Sequence, residues 1–444
     1  MARGRVTQRR TLRRTAAPAV LGILLAAAAC ARGGSGRRAV RLWGLGREGE
    51  VVKELLPAFR ERYPGIDVEV QQIPWTAAHE KLLTAFVGES LPDVAQIGNT
   101  WLPEFRTLGA LQDLGPRVAR SSVIAAASYF PGIWDTNLVE GVLCGVPWYV
   151  DTRVLFYRKD LLLAAGVAAP PQTWTEWHDV LRRIKERAGK DRWAILLPTD
   201  EWAQPVILGL QNRASLLTAD GGDAAFRSPA FRAAAAFYVN LFREGLAPPV
   251  ANTQVANVYQ QFAAGDFAMY ITGPWNLGEF RRRLPASLED AWATAPLPAA
   301  GGGEPGGPGK PGVSLAGGSS LVLFRSSKRS DDAWKLIEFL SEPAQQIRFY
   351  ALAGDLPARR DAWSDPLLSG DPAARAFAQQ LENVAAPPQI PEWEQIAQKV
   401  AEHLEPAIRG VVTVDAALEA LDKDVSALLT KRRWVLARKA AHAR

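Results

Sequence analysis

The chain has 444 residues, more than one hydrophobic core usually sustains, so two lobes able to enclose a ligand are the default arrangement. With 48% hydrophobic and 22% charged residues, it is globular and not disordered. The formal charge of +6 does not imply a polyanion groove, because six of the 52 basic residues lie in the first 29 positions, which hold no acid. The remainder balances 46 basic against 46 acidic residues, and the basic run KRRWVLARK at 431–439 leaves the rest mildly acidic, so no nucleic-acid partner is expected.

The N-terminus reads as an export signal over 1–29. Arg9, Arg10, Arg13 and Arg14 precede an apolar run at 16–29, shorter than the roughly 20 residues a bilayer crossing needs. The adjacent arginines resemble a twin-arginine signal. The run closes on Ala-Ala-Ala-Cys at 27–30, followed by ARGGSG. This is similar to a lipoprotein cleavage site, with Ala27 where that pattern prefers Leu, and it implies Cys30 as the acylated first residue and 30–38 as a tether. Only Cys144 then remains, so no internal disulfide forms and packing alone holds the fold.

In chain order, 39–43 reads as a strand, 50–63 as an amphipathic helix that Pro57 either kinks or begins, and 66–71 as a second strand. Apolar residues at helical spacing mark 76–86, and 93–97 is the third strand. Strands alternating with helices predict a mostly parallel sheet covered on both faces, with ligands beyond the strand C-termini. The stretch VPWYVDTRVLFYRKD from Val146 reads as the passage from one lobe to the other, with Pro147, Trp148, Tyr149 and Asp151 ahead of an apolar strand at 154–157. Thr173 to Glu176 matches a capping box opening a helix to about 187. A strand at 193–197 follows, then a helix with a Ser228 cap, Pro229 at its first turn and Gly245 at its stop. Residues 255–264 read as helix and 267–271 as strand, running into Gly273-Pro274-Trp275. A Gly/Pro-rich connector covers 299–312; strand 321–324, helix 330–340 and a largely helical remainder complete the chain.

Gly44-Leu45-Gly46-Arg47-Glu48-Gly49 is a literal GxGxxG between a strand and a helix, with Asp67 and Glu69 about 20 residues on, as a dinucleotide fingerprint requires. An exported NAD(P)-dependent or carbohydrate-active enzyme is therefore the alternative reading; the rival account of the loop is that small residues are needed close to a ligand. Glu304 and Pro311 break any P-loop at 301–312. His79, His178, His403 and His442 are far apart, and no zinc site or other cofactor is expected. Fifteen tryptophans are present; Trp43, Trp101, Trp148, Trp202 and Trp275 fall after expected strands, where flat indoles beside carboxylates suit a sugar, ring C–H faces stacking and hydroxyls donating to the acids.

The segments FRERYPGIDVEV from Phe59, LPDVAQIGNTW from Leu91, the Val146 stretch, GDFAMYITGPWNL from Gly265, GGSSLVLFRSS from Gly317, and AWKLIEFLSEP through LPARRDAW from Ala333 together resemble the bacterial extracellular solute-binding proteins of the maltose and trehalose type, the capture subunits of ABC sugar importers. The resemblance implies a non-enzymatic α/β protein with a two-lobed, periplasmic-binding-protein-like type II fold, its cleft between lobes joined by hinge crossings. One lobe would comprise 39–149 and 314–358, the other 150–313 and 359–444. Implied partners are a di- or oligosaccharide, the permease subunits and the membrane through the N-terminal lipid, with a monomer expected outside the cytoplasm. By position, the resemblance makes Glu48 a hydroxyl-binding acid and leaves Asp93 to bind sugar or to cap its strand. Asn99 and Trp101 line the first lobe, Tyr149 and Asp151 lie at the crossing, and Trp275 is the main stacking platform. Gly317, Gly318 and Ser319 bring backbone to the ligand, Arg359 is a bidentate donor, and Trp202 and Trp393 are secondary candidates.

Overall fold

The computed structural model describes residues 39–301 and 310–442; the export signal, Cys30 and most of the glycine connector lie outside the described residues. Two sheets organise the chain. The larger has six strands in the spatial order Leu356–Pro357, Val146–Asp151, Gly317–Leu323, Val94–Gly98, Val40–Leu45, Val68–Ile73. The smaller has four, ordered Trp292–Ala295, Val154–Arg158, Phe267–Thr272, Trp193–Leu196. The βαβ opening is present, Val40–Leu45 pairing in parallel with both Val68–Ile73 and Val94–Gly98. Helices cover both faces of this sheet: Val40 and Leu42 point into one core, Trp43 and Leu45 into another, as alternate strand side chains must.

The expected mostly parallel sheet is corrected in both lobes. Gly317–Leu323 is antiparallel to both neighbours, and so is Leu356–Pro357 to Val146–Asp151. In the smaller sheet only Trp193–Leu196 and Phe267–Thr272 are parallel. The route of the chain is the reason. Strands of the local βαβ units end at the cleft, whereas Gly317–Leu323 and Val154–Arg158, arriving from the other lobe, start there and run the opposite way; Leu356–Pro357 also starts at the cleft, because the helix Pro343–Ala353 before it ends there. Val150 and Asp151 pair with Gly318 and Gly317 in the larger sheet and Val154 opens the smaller, so the first passage between sheets falls at Thr152 and Arg153.

Local signals set the helix ends. Pro57 sits in the first turn of Leu56–Arg62, beyond a separate turn at Glu48–Val51, so it begins a helix and kinks none. The Thr173 hydroxyl accepts from the Glu176 amide, while the Glu176 carboxylate reaches back to the Gln172 amide. Ser228 caps Pro229–Arg243. The helix expected from 255 starts at Val258, because the Asn257 side chain accepts from the Tyr259 and Gln260 amides. Among the described residues, no helix is long and apolar enough to cross a membrane.

Candidate ligand cleft

The ends of Val40–Leu45, Val94–Gly98 and Val146–Asp151 and the start of Gly317–Leu323 meet at one edge of the larger sheet. Across from them stand Trp202, ahead of helix Ala203–Gln211, and Trp275, which opens helix Trp275–Arg283 after the strand Phe267–Thr272. Between lies a cavity of about 540 Å³, within the roughly 300–1,000 Å³ of pockets that enclose small ligands. It is lined by Glu48, Asn99, Trp101, Tyr149, Asp151, Trp202, Trp275, Gly318 and Ser319, all of them expected from the sequence.

On the larger sheet's side the acids are positioned by a buried polar network. Gln96 accepts from the Leu45 amide at 2.8 Å and donates to the Tyr149 hydroxyl at 3.1 Å and the Ser319 hydroxyl at 3.3 Å. The Tyr149 hydroxyl in turn donates to Glu48 Oε1 at 2.9 Å, and the Trp75 indole N–H to Glu48 Oε2 at 3.4 Å. Burial pushes Glu48 above the usual carboxylate range, opposed by its hydrogen bonds and by Arg47. Burial likewise holds Tyr149 neutral, which keeps it a donor. Asn99 is fixed by its amide donating to the Ala316 carbonyl at 2.8 Å.

At the passage, burial raises Asp151 and the Arg153 guanidinium, its ion-pair partner, lowers it. The same guanidinium lies 4.5 Å from the centroid of Trp275, a cation–π contact that joins the two walls. Trp275 is 39% exposed, high for a large aromatic. A Cβ at Gly273 would fall 1.9 Å from its ring, so the Gly-Pro-Trp order is what lets the indole lie where it does. Trp101 meets Trp75 edge-on at 5.8 Å, and Trp202 meets Trp393 at 5.5 Å. Trp393 is fully buried, so this secondary candidate backs the wall without facing the cavity.

Three expectations are corrected, and of the two roles left open for Asp93 one is selected. Asp93 accepts from the Arg41 amide at 2.9 Å and from the Ser327 hydroxyl at 2.6 Å; it precedes its strand, about 16 Å from the cleft end at ~3.3 Å per residue, and fastens the far end. Arg359 is buried away from the cavity, ion-paired to Asp361 and donating to the Val123 and Ser341 carbonyls. Its charge is satisfied by the protein itself. Trp43 lies mid-strand in the core, and Trp148 is buried and stacked on Phe349 at 4.4 Å. The sequence reading missed Trp75, Arg153, Asp355 and Glu394, all at the cavity. Trp75 follows the strand Val68–Ile73 by two residues, so the rule that singled out Trp101 would have found it.

The glycine loop has a packing explanation. A Cβ on Gly44 would lie 2.5 Å from the Gly49 Cα, so strand end and helix start touch backbone to backbone. Glu48 puts a carboxylate at the helix N-terminus, where a dinucleotide would need room for its own anionic phosphates.

A cleft between two hinged α/β lobes, walled by indoles and acids and crossed by the chain, defines a solute-capture protein. The chain belongs to the bacterial extracellular solute-binding protein family, whose profile matches residues 43–347. It is similar to the sugar-binding protein MalE from Xanthomonas citri, with 50% identity, a TM-score of 0.85, and 90% of this chain and 99% of that one covered. The diacetylchitobiose binding protein DasA of Streptomyces coelicolor is 26% identical, covering 79% of this chain and 80% of that protein. The galactooligosaccharide-binding protein of Bacillus subtilis is 26% identical over 78% of each.

Proposed function

We propose that the protein is the capture subunit of an ABC importer, binding a neutral di- or oligosaccharide in the cleft and delivering it unchanged to the permease as a monomer. The observation that carries this reading is the convergence of Trp275, Trp202 and Trp101 with Glu48 and Asp151 on one cavity. Sugars present apolar C–H faces and hydroxyl donors together, and this wall answers both. The solute-binding family membership and the sugar-binding relatives support it, and the packing role of Gly44 and Gly49 removes the main sequence argument for a dinucleotide enzyme. Calorimetric titration with a panel including maltose and trehalose tests the proposal. Saturable binding with the sugar recovered intact is expected; turnover of the sugar would overturn it.

Family membership places the protein outside the cytoplasm, and the Ala-Ala-Ala-Cys signal supports a lipid anchor at Cys30. Cys30→Ser is expected to release the protein from the membrane fraction. Unchanged membrane association would contradict the anchor.

A further inference from the structure

Helix Pro343–Ala353 ends at Gly354, in the left-handed conformation at φ 89°, and the chain then enters the edge strand Leu356–Pro357, which pairs with Val150 and Tyr149. Asp355 is held between these two anchored elements. It is 6% exposed and lines the cleft. The other acids on this wall are partnered: Glu48 accepts from Tyr149 and Trp75, and Asp151 pairs with Arg153. Asp355 has no side-chain hydrogen bond or ion pair among the described residues; Arg47, whose charge acts on it, donates to the Leu352 carbonyl at 3.0 Å.

A carboxylate on a residue only 6% exposed, with no protein donor, is costly, and such a group calls for a partner from outside the chain. We propose that Asp355 is a further ligand-binding residue, a carboxylate that accepts hydrogen bonds from two neighbouring hydroxyls of the bound sugar beside Glu48. This rests on the sugar reading of the cleft. Among the described residues no group of three or more His, Cys, Asp or Glu could hold a metal ion. A neutral molecule with paired hydroxyls supplies donors without adding charge. Burial, then the charges of Glu48 and Asp151, push Asp355 well above the carboxylate range, with Arg47 opposing; hydroxyl donors of a bound ligand would supply the stabilisation its charged form lacks in the free protein.

The test is Asp355→Asn in the full protein, titrated calorimetrically with maltose and trehalose and melted without sugar. Affinity for whichever sugar the unsubstituted protein binds should fall about tenfold or more. The unliganded Tm should hold or rise, because a buried acid that is costly to ionise has been removed without change of shape. Binding within about twofold of the unsubstituted protein, or a fall in unliganded Tm, overturns the proposal; the second result would mark Asp355 as structural. If the unsubstituted protein binds neither sugar, the sugar reading fails for these ligands. The melting result still decides the residue: a rise in Tm supports a carboxylate kept for a ligand at a cost in stability, and a fall refutes it.

Discussion

Two side chains that sequence resemblance assigns to one job do opposite ones. Trp275 is half in solvent at the cleft, so Trp275→Ala should cost the unliganded protein only about 1 kcal/mol, the size of one exposed cation–π contact. It should weaken sugar binding by about 2 kcal/mol, or ~30-fold, through lost stacking area; a large drop in Tm would make it a core residue. Arg359→Ala should do the reverse, removing the donors to Val123, Ser341 and Asp361 at a cost of ~3 kcal/mol, with sugar affinity unchanged at temperatures where the variant is folded. Titration sharpens the contrast between function and stability. Burial raises Glu48 and Asp355, so the folded state holds their protons more tightly than the unfolded chain. From the unfolded carboxyl value near ~4 upward, stability should therefore fall as pH rises through the raised values. His79, raised by its hydrogen bond to Glu104, stabilises below its unfolded value of ~6.5 and loses that contribution as pH rises, in the same direction. Asp160 and Asp371 are lowered, by the Arg158 hydrogen bond and, against burial, by the Arg281 and Tyr350 bonds respectively; their contribution is lost as pH falls below ~4. Melting of the unliganded protein should thus peak in mild acid, and a maximum above pH 8 would contradict these assignments.

At the scale of elements, the glycine loop shows how a motif outruns its chemistry. Gly44→Ala should destabilise by about 1–3 kcal/mol, because the methyl meets the Gly49 backbone and one of the two elements must shift; thermal melting checks this, and a neutral effect would reopen the loop's ligand role. Most strand and helix identities and the Thr173 and Ser228 caps were legible because each depends on neighbours a few residues away. The cleft was legible in part for the same reason: Trp101 and Trp275 follow strands, and ligands gather beyond strand ends. What was not legible depends on partners far along the chain. Strand direction in Gly317–Leu323 follows from which lobe it arrives from, and nothing local distinguishes the buried Arg359 from an arginine at a cavity. Of the two roles left open for Asp93, the structure shows the strand-end one, because it stands at the end of its strand away from the cleft. Asp355 could not be singled out at all, because its lack of a partner is visible only once Glu48, Asp151 and Arg47 surround it.

For the whole molecule, the walls come from different lobes: Glu48, Tyr149 and Asp151 from the larger sheet's side, Trp202 and Trp275 from the other. A sugar that touches both favours the closed arrangement by the extra contacts it makes there, and by no more. Binding should raise stability with ligand concentration, by about 2.7 kcal/mol at a hundred times Kd, and small-angle scattering should show the protein contract as the lobes approach. The two effects separate in Trp275→Ala. Its larger-sheet acids still hold the sugar weakly, so at saturating concentration a stability gain should persist, while the contraction, which needs the indole on the opposing wall, should shrink or vanish. Full contraction in that variant would mean that another group, Trp202 foremost, draws the second lobe in.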